Sequence, residues 1–206
     1  MEHSMRLFVL LLLTFTGLSQ AGSLNYIVER NGKAIGTHSF DFSGSGDQML
    51  VDVNSNMVVK IGFIPVYKFI HNGREIWSGG LLTSYESSTN DNGTNKFLKF
   101  NNNIAESNLG VNEFQGKQVM PASLWNIESM SANKLMNTLD GKIMNIDVKD
   151  IGTEEVLTTS GNIINAEHYS VTGDLERDLW FDEANRLVHV LFKGQDGSNI
   201  EYILEG

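Results

Sequence analysis

Apolar and polar residues alternate along most of this chain, and Asn-Gly, Asp-Gly and Gly-Gly pairs cut the alternation at short intervals. Period-two patterning bounded by such pairs predicts antiparallel strands joined by tight turns. Residues 24–30 read as a strand, Asn31-Gly32 as a hairpin turn and residues 34–42 as the returning strand. Segments 49–60, 66–77, 81–89 and 96–100 continue the series. Residues 101–118 carry the weakest pattern and read as a long polar excursion. Alternation resumes over 142–151, 154–159, 163–172, 175–182, 186–193 and 198–204. Only the middle of the chain reads as helical. Pro121 suits a first helical turn over 122–125, and 131–139 form a second turn ended by Asp140-Gly141. The expected fold is mainly β: one antiparallel sheet of roughly eleven strands with a short helical insert. Twist curls so many strands into a half-barrel.

The N-terminus changes the picture of where this sheet works. Residues 7–15, LFVLLLLTF, are an apolar run too short to cross a bilayer as a helix. Ser19 and Ala21 put small residues at the −3 and −1 places of a cleavage site. Residues 1–21 are therefore expected to be a signal peptide, and 22–206 a single β-rich domain without an integral membrane segment. The formal net charge is −10 with no basic cluster, which argues against nucleic acid and anionic membrane surfaces as partners. The absence of cysteine excludes a disulfide scaffold, a thiolate nucleophile and a lipidated cysteine. A secreted, disulfide-free chain of this size suits a periplasmic or secreted location. The sequon Asn92-Gly93-Thr94 is then only a turn.

Several phrases carry a resemblance: YIVERNGKAIGTHSF, VKIGFIPVYKF with REIW, PASLWN, LMNTLDGKIMNIDV, and HYSVTGDLERDLWFD with LVHVLF and DGSNIEYIL. In this order they resemble a family of secreted bacterial proteins known only as a domain of unknown function. That family is distantly similar to the periplasmic lipoprotein carriers of the LolA and LolB type. The resemblance implies a curved antiparallel sheet wrapped around a helical plug and an apolar cavity. It implies no reaction and no catalytic residue. The carriers' basic patch and protruding loop find no matching residues here.

Candidate chemistry is sparse. In the stretch KIGFIPVYK, Pro65 breaks a strand and Gly62 permits a bend, inside a dense apolar cluster. It reads either as a core bend or as a lip beside a cavity. Phe63, Ile64, Tyr67, Trp77 and Trp125 flank this bend and the helical insert, and are the expected ligand-binding residues. His38, His71 and His189 fall in separate strands without metal-ligand spacing, so no metal or cofactor is expected. No Gly-x-Ser-x-Gly elbow occurs, and no catalytic residue is assigned.

The stretch GDLERDLWFD packs four acids and a tryptophan into ten positions. On a strand, Asp174, Glu176, Asp178, Trp180 and Asp182 share one face, and Leu175, Arg177, Leu179 and Phe181 the other. Folding 187–193 back beside it sets Trp180 opposite His189 and Asp178 opposite Leu191. The acids then read as a solvated strand face in preference to a metal or proton-transfer site. The expected function is a periplasmic binding or carrier protein for a hydrophobic ligand, a lipid or acyl chain. Two alternatives stand beside it: an envelope enzyme acting on a lipid or glycan through His168 and the acids near Asp178, and an envelope adaptor using residues 63–67.

Overall fold

The computed structural model describes residues 22–115 and 118–206; the apolar run at 7–15 and the expected cleavage position lie outside the described residues. The first eight strands are β1 (Gly22–Arg30), β2 (Lys33–Ser45), β3 (Gln48–Ile61), β4 (Ile64–Ser78), β5 (Leu81–Asp91), β6 (Thr94–Asn101), β7 (Ile104–Ser107) and β8 (Gly110–Glu113). A 3-10 helix, Ile127–Ser131, precedes β9 (Lys134–Met136), β10 (Ile143–Leu157), β11 (Ile163–Gly173), β12 (Arg177–Asp182), β13 (Leu187–Lys193) and β14 (Asn199–Leu204). All fourteen belong to one sheet, ordered β8-β7-β6-β5-β4-β3-β2-β1-β14-β13-β12-β11-β10-β9. Strands β1 and β14 pair antiparallel at its centre. The chain thus builds two meandering arms outward from the paired termini of the domain.

The turns follow the local chemistry. Asn31 (φ 49°) and Gly32 (φ 73°) both take left-handed backbone, as Asn92 (φ 50°) and Gly93 (φ 92°) do. Two successive positive φ angles match the right-handed twist of the flanking strands, which is why Asn-Gly marks a hairpin. Along most of the strands, every second residue faces a shared core. Phe40, Val53, Tyr85 and Leu98 from one arm join Ile146, Val171, Leu179 and Phe181 from the other in a single buried cluster. The sheet therefore curls on itself, and the Tyr26 hydroxyl crosses the interior to donate to the Leu187 carbonyl at 2.7 Å.

The sheet does not close into a barrel. Its free edges are β8 and β9, and the chain between them fills the concave side. Ala122 N–H donates to the Met136 carbonyl at 2.9 Å, and Met136 N–H to the Met120 carbonyl at 2.8 Å. These bonds fasten the filling segment to β9, and Met120, Leu124 and Met136 bury against the core.

The expected curved antiparallel sheet is present, with fourteen strands in place of eleven. Strands β7 and β8 lie in the stretch expected to be a polar excursion, and β9 lies inside the second expected helical turn. Each is three or four residues long, too short for alternation to register. Segments 142–151 and 154–159 are one strand, β10, continued through a bulge between Asp150 and Gly152. The helical insert is real but displaced. Pro121 forms a bridge with Met136, and Leu124 at φ 67° excludes a helical turn over 122–125. Among the described residues the one 3-10 helix runs instead over Ile127–Ser131, capped by Asn126, whose side chain accepts from Glu128 N–H at 3.0 Å.

Beyond Met57 in β3 no residue pairs with β2, and before Phe69 in β4 none pairs with β5. Residues 58–68 therefore form a two-stranded arm that runs past the sheet by roughly 13 Å.

Candidate functional site

A row of side chains crosses four adjacent strands on the concave wall. Register places His38 of β2 opposite Ser55 of β3, Ser55 opposite His71 of β4, and His71 opposite Thr89 of β5. His38 Nδ1 lies 2.6 Å from Ser55 Oγ, and His71 Nδ1 lies 2.7 Å from Thr89 Oγ1. Tyr85 Oη sits 3.3 Å from His71 Nε2. Gly73 makes that approach feasible, because a Cβ there would lie 2.8 Å from the Tyr85 hydroxyl. Burial, and then the neighbouring His71, depress the His38 pKa to about 3, and burial depresses that of His71 to about 4. Both imidazoles are neutral at neutral pH.

His38, Ser55, His71 and Tyr85 line a cavity of about 230 Å³ between the two arms. The opposite wall comes from Leu187, Val190 and Phe192 of β13, Tyr202 of β14 and Arg177 of β12, and the filling segment contributes Ser123 and Leu124. Arg177 is the one charged side chain in this lining. Its Cζ lies 3.6 Å from the centroid of the Phe192 ring, a cation–π contact, and one Nη donates to the Glu176 carbonyl at 2.9 Å. Burial pulls its pKa down, opposed by the nearby Tyr202. The cavity is thus an apolar chamber with hydroxyls, neutral imidazoles and one cation. A second, wider hollow of about 760 Å³ lies along the open seam, with Phe114, Met130, Met136 and Ile146 among its walls.

The expected ligand-binding residues separate into two groups. Phe63, Ile64 and Tyr67 stand on the free arm, where Phe63 is 100% and Ile64 69% exposed. Tyr67 donates to Asp91 Oδ1 at 2.9 Å across the base of the arm. Trp77 and Trp125 come together in the core, edge to face at 5.7 Å. Both indoles donate to one oxygen of Glu75, at 2.7 and 2.9 Å. Glu75 is wholly buried, and burial pushes its pKa up against the lowering effect of Ser123 and the two indoles. This carboxyl ties the filling segment to β4, one residue from the Leu124 that lines the cavity. Sequence reasoning missed Arg177, although a signal existed: an arginine on the apolar face of a patterned strand.

On the opposite face of the sheet the structure assembles the acidic stretch with His168. The imidazole stacks on Trp180 at 4.2 Å between centroids, with Nε2 3.1 Å from Asp178 Oδ1 and Nδ1 3.1 Å from Glu154 Oε1. Trp180 Nε1 donates to the other Glu154 oxygen at 2.9 Å. Asp174 accepts from Asn145 N–H at 2.8 Å. Asp182 accepts from the N–H groups of Ala184 and Arg186 and from the Arg186 guanidinium, closing the turn to β13. The acids are therefore structural partners, more engaged than a bare solvated face. Among the described residues no group of three or more His, Asp or Glu is placed to hold a metal ion.

A curled antiparallel sheet around a plugged interior defines a β-barrel-like protein. The chain belongs to the family described as a domain of unknown function, DUF6134, which matches residues 26–205. Its fold is similar to that in the crystal structure of the beta-barrel-like protein of domain of unknown function DUF1849 from Brucella abortus. The TM-score is 0.59 at 8% identity, over 88% of this chain and 94% of that one. No curated protein matches the sequence. These similarities establish a family and a fold, and no kinship with the lipoprotein carriers. No helix among the described residues is long and apolar enough to cross a membrane.

Proposed function

We propose that this protein binds a small hydrophobic or amphipathic ligand, such as a lipid or acyl chain, in the concave cavity. The observation that supports it is the chamber itself, where Phe69, Leu124, Leu187, Val190 and Phe192 surround about 230 Å³. Apolar walls with a few convergent polar groups are the usual make-up of a ligand pocket. The volume is below that of a drug-sized site, so the chamber encloses a short chain or the first part of a longer one. Native mass spectrometry of the purified protein should show a co-purified small molecule. Titration with medium-chain lipids should raise the melting temperature by mass action. Trp125, one residue from Leu124, should report the binding by fluorescence. If no lipid co-purifies and a broad panel gives no thermal shift, this reading is lost.

A second reading has its own support: Ile61, Phe63 and Ile64 lie bare on an arm with no sheet neighbour. Exposed apolar surface of this kind marks contact sites. An adaptor role predicts that photo-crosslinks formed in cells from position 66 disappear when Phe63→Ser and Ile64→Ser are combined, with ligand titration unaffected. Unchanged crosslinks would remove it. Both readings place the protein outside the cytoplasm, in the periplasm or beyond, by export through residues 1–21. N-terminal sequencing should then find Gly22 first, and retention of Met1 or Met5 would refute export.

A further inference from the structure

We infer that the cavity is built for an amphipathic monoanion, a carboxylate on a short apolar body, with Arg177 holding the charged end. This rests on the proposed ligand-binding role of the cavity. The chain has 25 acidic residues, yet among the described residues none pairs with Arg177. The neighbouring acids are committed elsewhere. Asp178 faces the other side of the sheet against His168, and Glu176 offers Arg177 only its backbone carbonyl. A largely buried cation without a counter-charge is costly, and proteins otherwise pair such groups. Here the guanidinium is held against the Phe192 ring at the cavity wall, with most of its N–H donors unused by protein acceptors. A ligand anion is the natural partner.

The sign and number of charges narrow the class. His38 and His71 share the lining, but burial keeps both neutral, and their Nδ1 atoms are engaged by Ser55 and Thr89. No lysine stands in the lining. One positive charge therefore faces the cavity. A guanidinium fork donates to both oxygens of a carboxylate in parallel, which an ammonium does not. The Tyr202 hydroxyl lies within electrostatic reach of Arg177 and has no hydrogen-bond partner among the described residues, so it is free to donate to the same anion. A phosphate monoester would bring a second charge with no second cation to meet it. The space is equivalent to roughly eight waters at about 30 Å³ each, which suits a medium-length chain. Phe69, Leu187 and Val190 supply its apolar walls.

The test is calorimetric titration of the mature chain at pH 7 with octanoate, 1-octanol and octyl phosphate. Octanoate should bind at least about tenfold more tightly than 1-octanol, the effect of one charge-assisted contact. Arg177→Met keeps a flexible apolar stem over Phe192 and should abolish that preference. Should the variant fail to fold, judged by its melting curve, the three-ligand order in the unaltered protein decides alone. Equal binding of octanoate and 1-octanol would overturn the anion assignment and leave the cavity reading standing. Tighter binding of octyl phosphate than of octanoate would overturn the monoanion. Absence of binding by all three would overturn both the inference and the ligand-binding role beneath it.

Discussion

The two faces of strand β12 both carry charged side chains and treat them in opposite ways. On the outer face, Asp178 meets His168 at 3.1 Å, and Asp182 closes a turn onto Arg186. On the inner face, Leu179 and Phe181 are fully buried, and Arg177 lies over Phe192 without a carboxylate. Burial alone does not separate them, since Trp180 on the outer face is only 7% exposed. Satisfaction does. The acids of the outer face find partners within the protein, and the arginine that faces the cavity lacks a counter-charge. An unneutralised charge beside an apolar chamber is thus a better pointer to function than a cluster of paired acids.

This contrast can be broken by experiment. The largest effect should come from Phe181→Ala, which removes a wholly buried ring and should cost about 3–5 kcal/mol in urea unfolding. On the outer face, Asp182→Ala leaves the N–H groups of Ala184 and Arg186 without their acceptor, and a loss of roughly 2–3 kcal/mol is expected from the same measurement. A loss under about 0.5 kcal/mol would return Asp182 to the class of ordinary surface acids.

Acid titration should expose the buried imidazoles. His38 and His71 hold pKa values of about 3 and 4 in the fold, against 6.5 when unfolded, and His189 on the outer face is depressed to about 4 by burial. Between about pH 4 and 6.5 the unfolded chain takes up protons that the folded chain refuses. Stability should therefore fall as pH drops through this window, by up to about 1.4 kcal/mol per pH unit for each histidine. Glu75 acts in the opposite sense: its raised pKa favours the folded state at low pH and withdraws that contribution as pH rises through the folded value. Urea midpoints across the window should show a shallower slope in His71→Gln. An unchanged slope would mean that His71 titrates normally in the fold.

The smallest effects belong to the exposed acids. Asp178→Asn loosens one half of the His168 clamp and should cost about 0.5–1 kcal/mol, while Glu176→Gln, on an exposed side chain, should stay within about 0.5 kcal/mol. A larger loss for Glu176 than for Asp178 would invert the ranking of the two and point to a partner for Glu176.

The sequence by itself determined the strands and much of their local register. Alternation and Asn-Gly turns located the long strands, and the pairing of Trp180 with His189 and of Asp178 with Leu191 followed from folding one segment onto the next. A bulge after Trp180 then moves Phe181 opposite Leu187, a one-residue shift that alternation does not encode. Short elements such as β9 escaped because three residues contain too little pattern to read.

Only the tertiary structure decided which residues meet. Glu154 reaches Trp180 and His168 from β10, and Trp125 reaches Glu75 from the filling segment 50 residues away. The free arm was equally hidden. Its apolar composition reads either as a core bend or as a lip beside a cavity, and the lengths of β2 and β5 leave it without sheet neighbours. Arg177 shows the same division most clearly. Periodicity placed it on the apolar face of β12, but whether that face meets another packed layer or a chamber depends on how far two arms of a sheet curl. That curl is the sum of many small twists and of one connecting segment between free edges, a collective property that no single stretch of sequence carries.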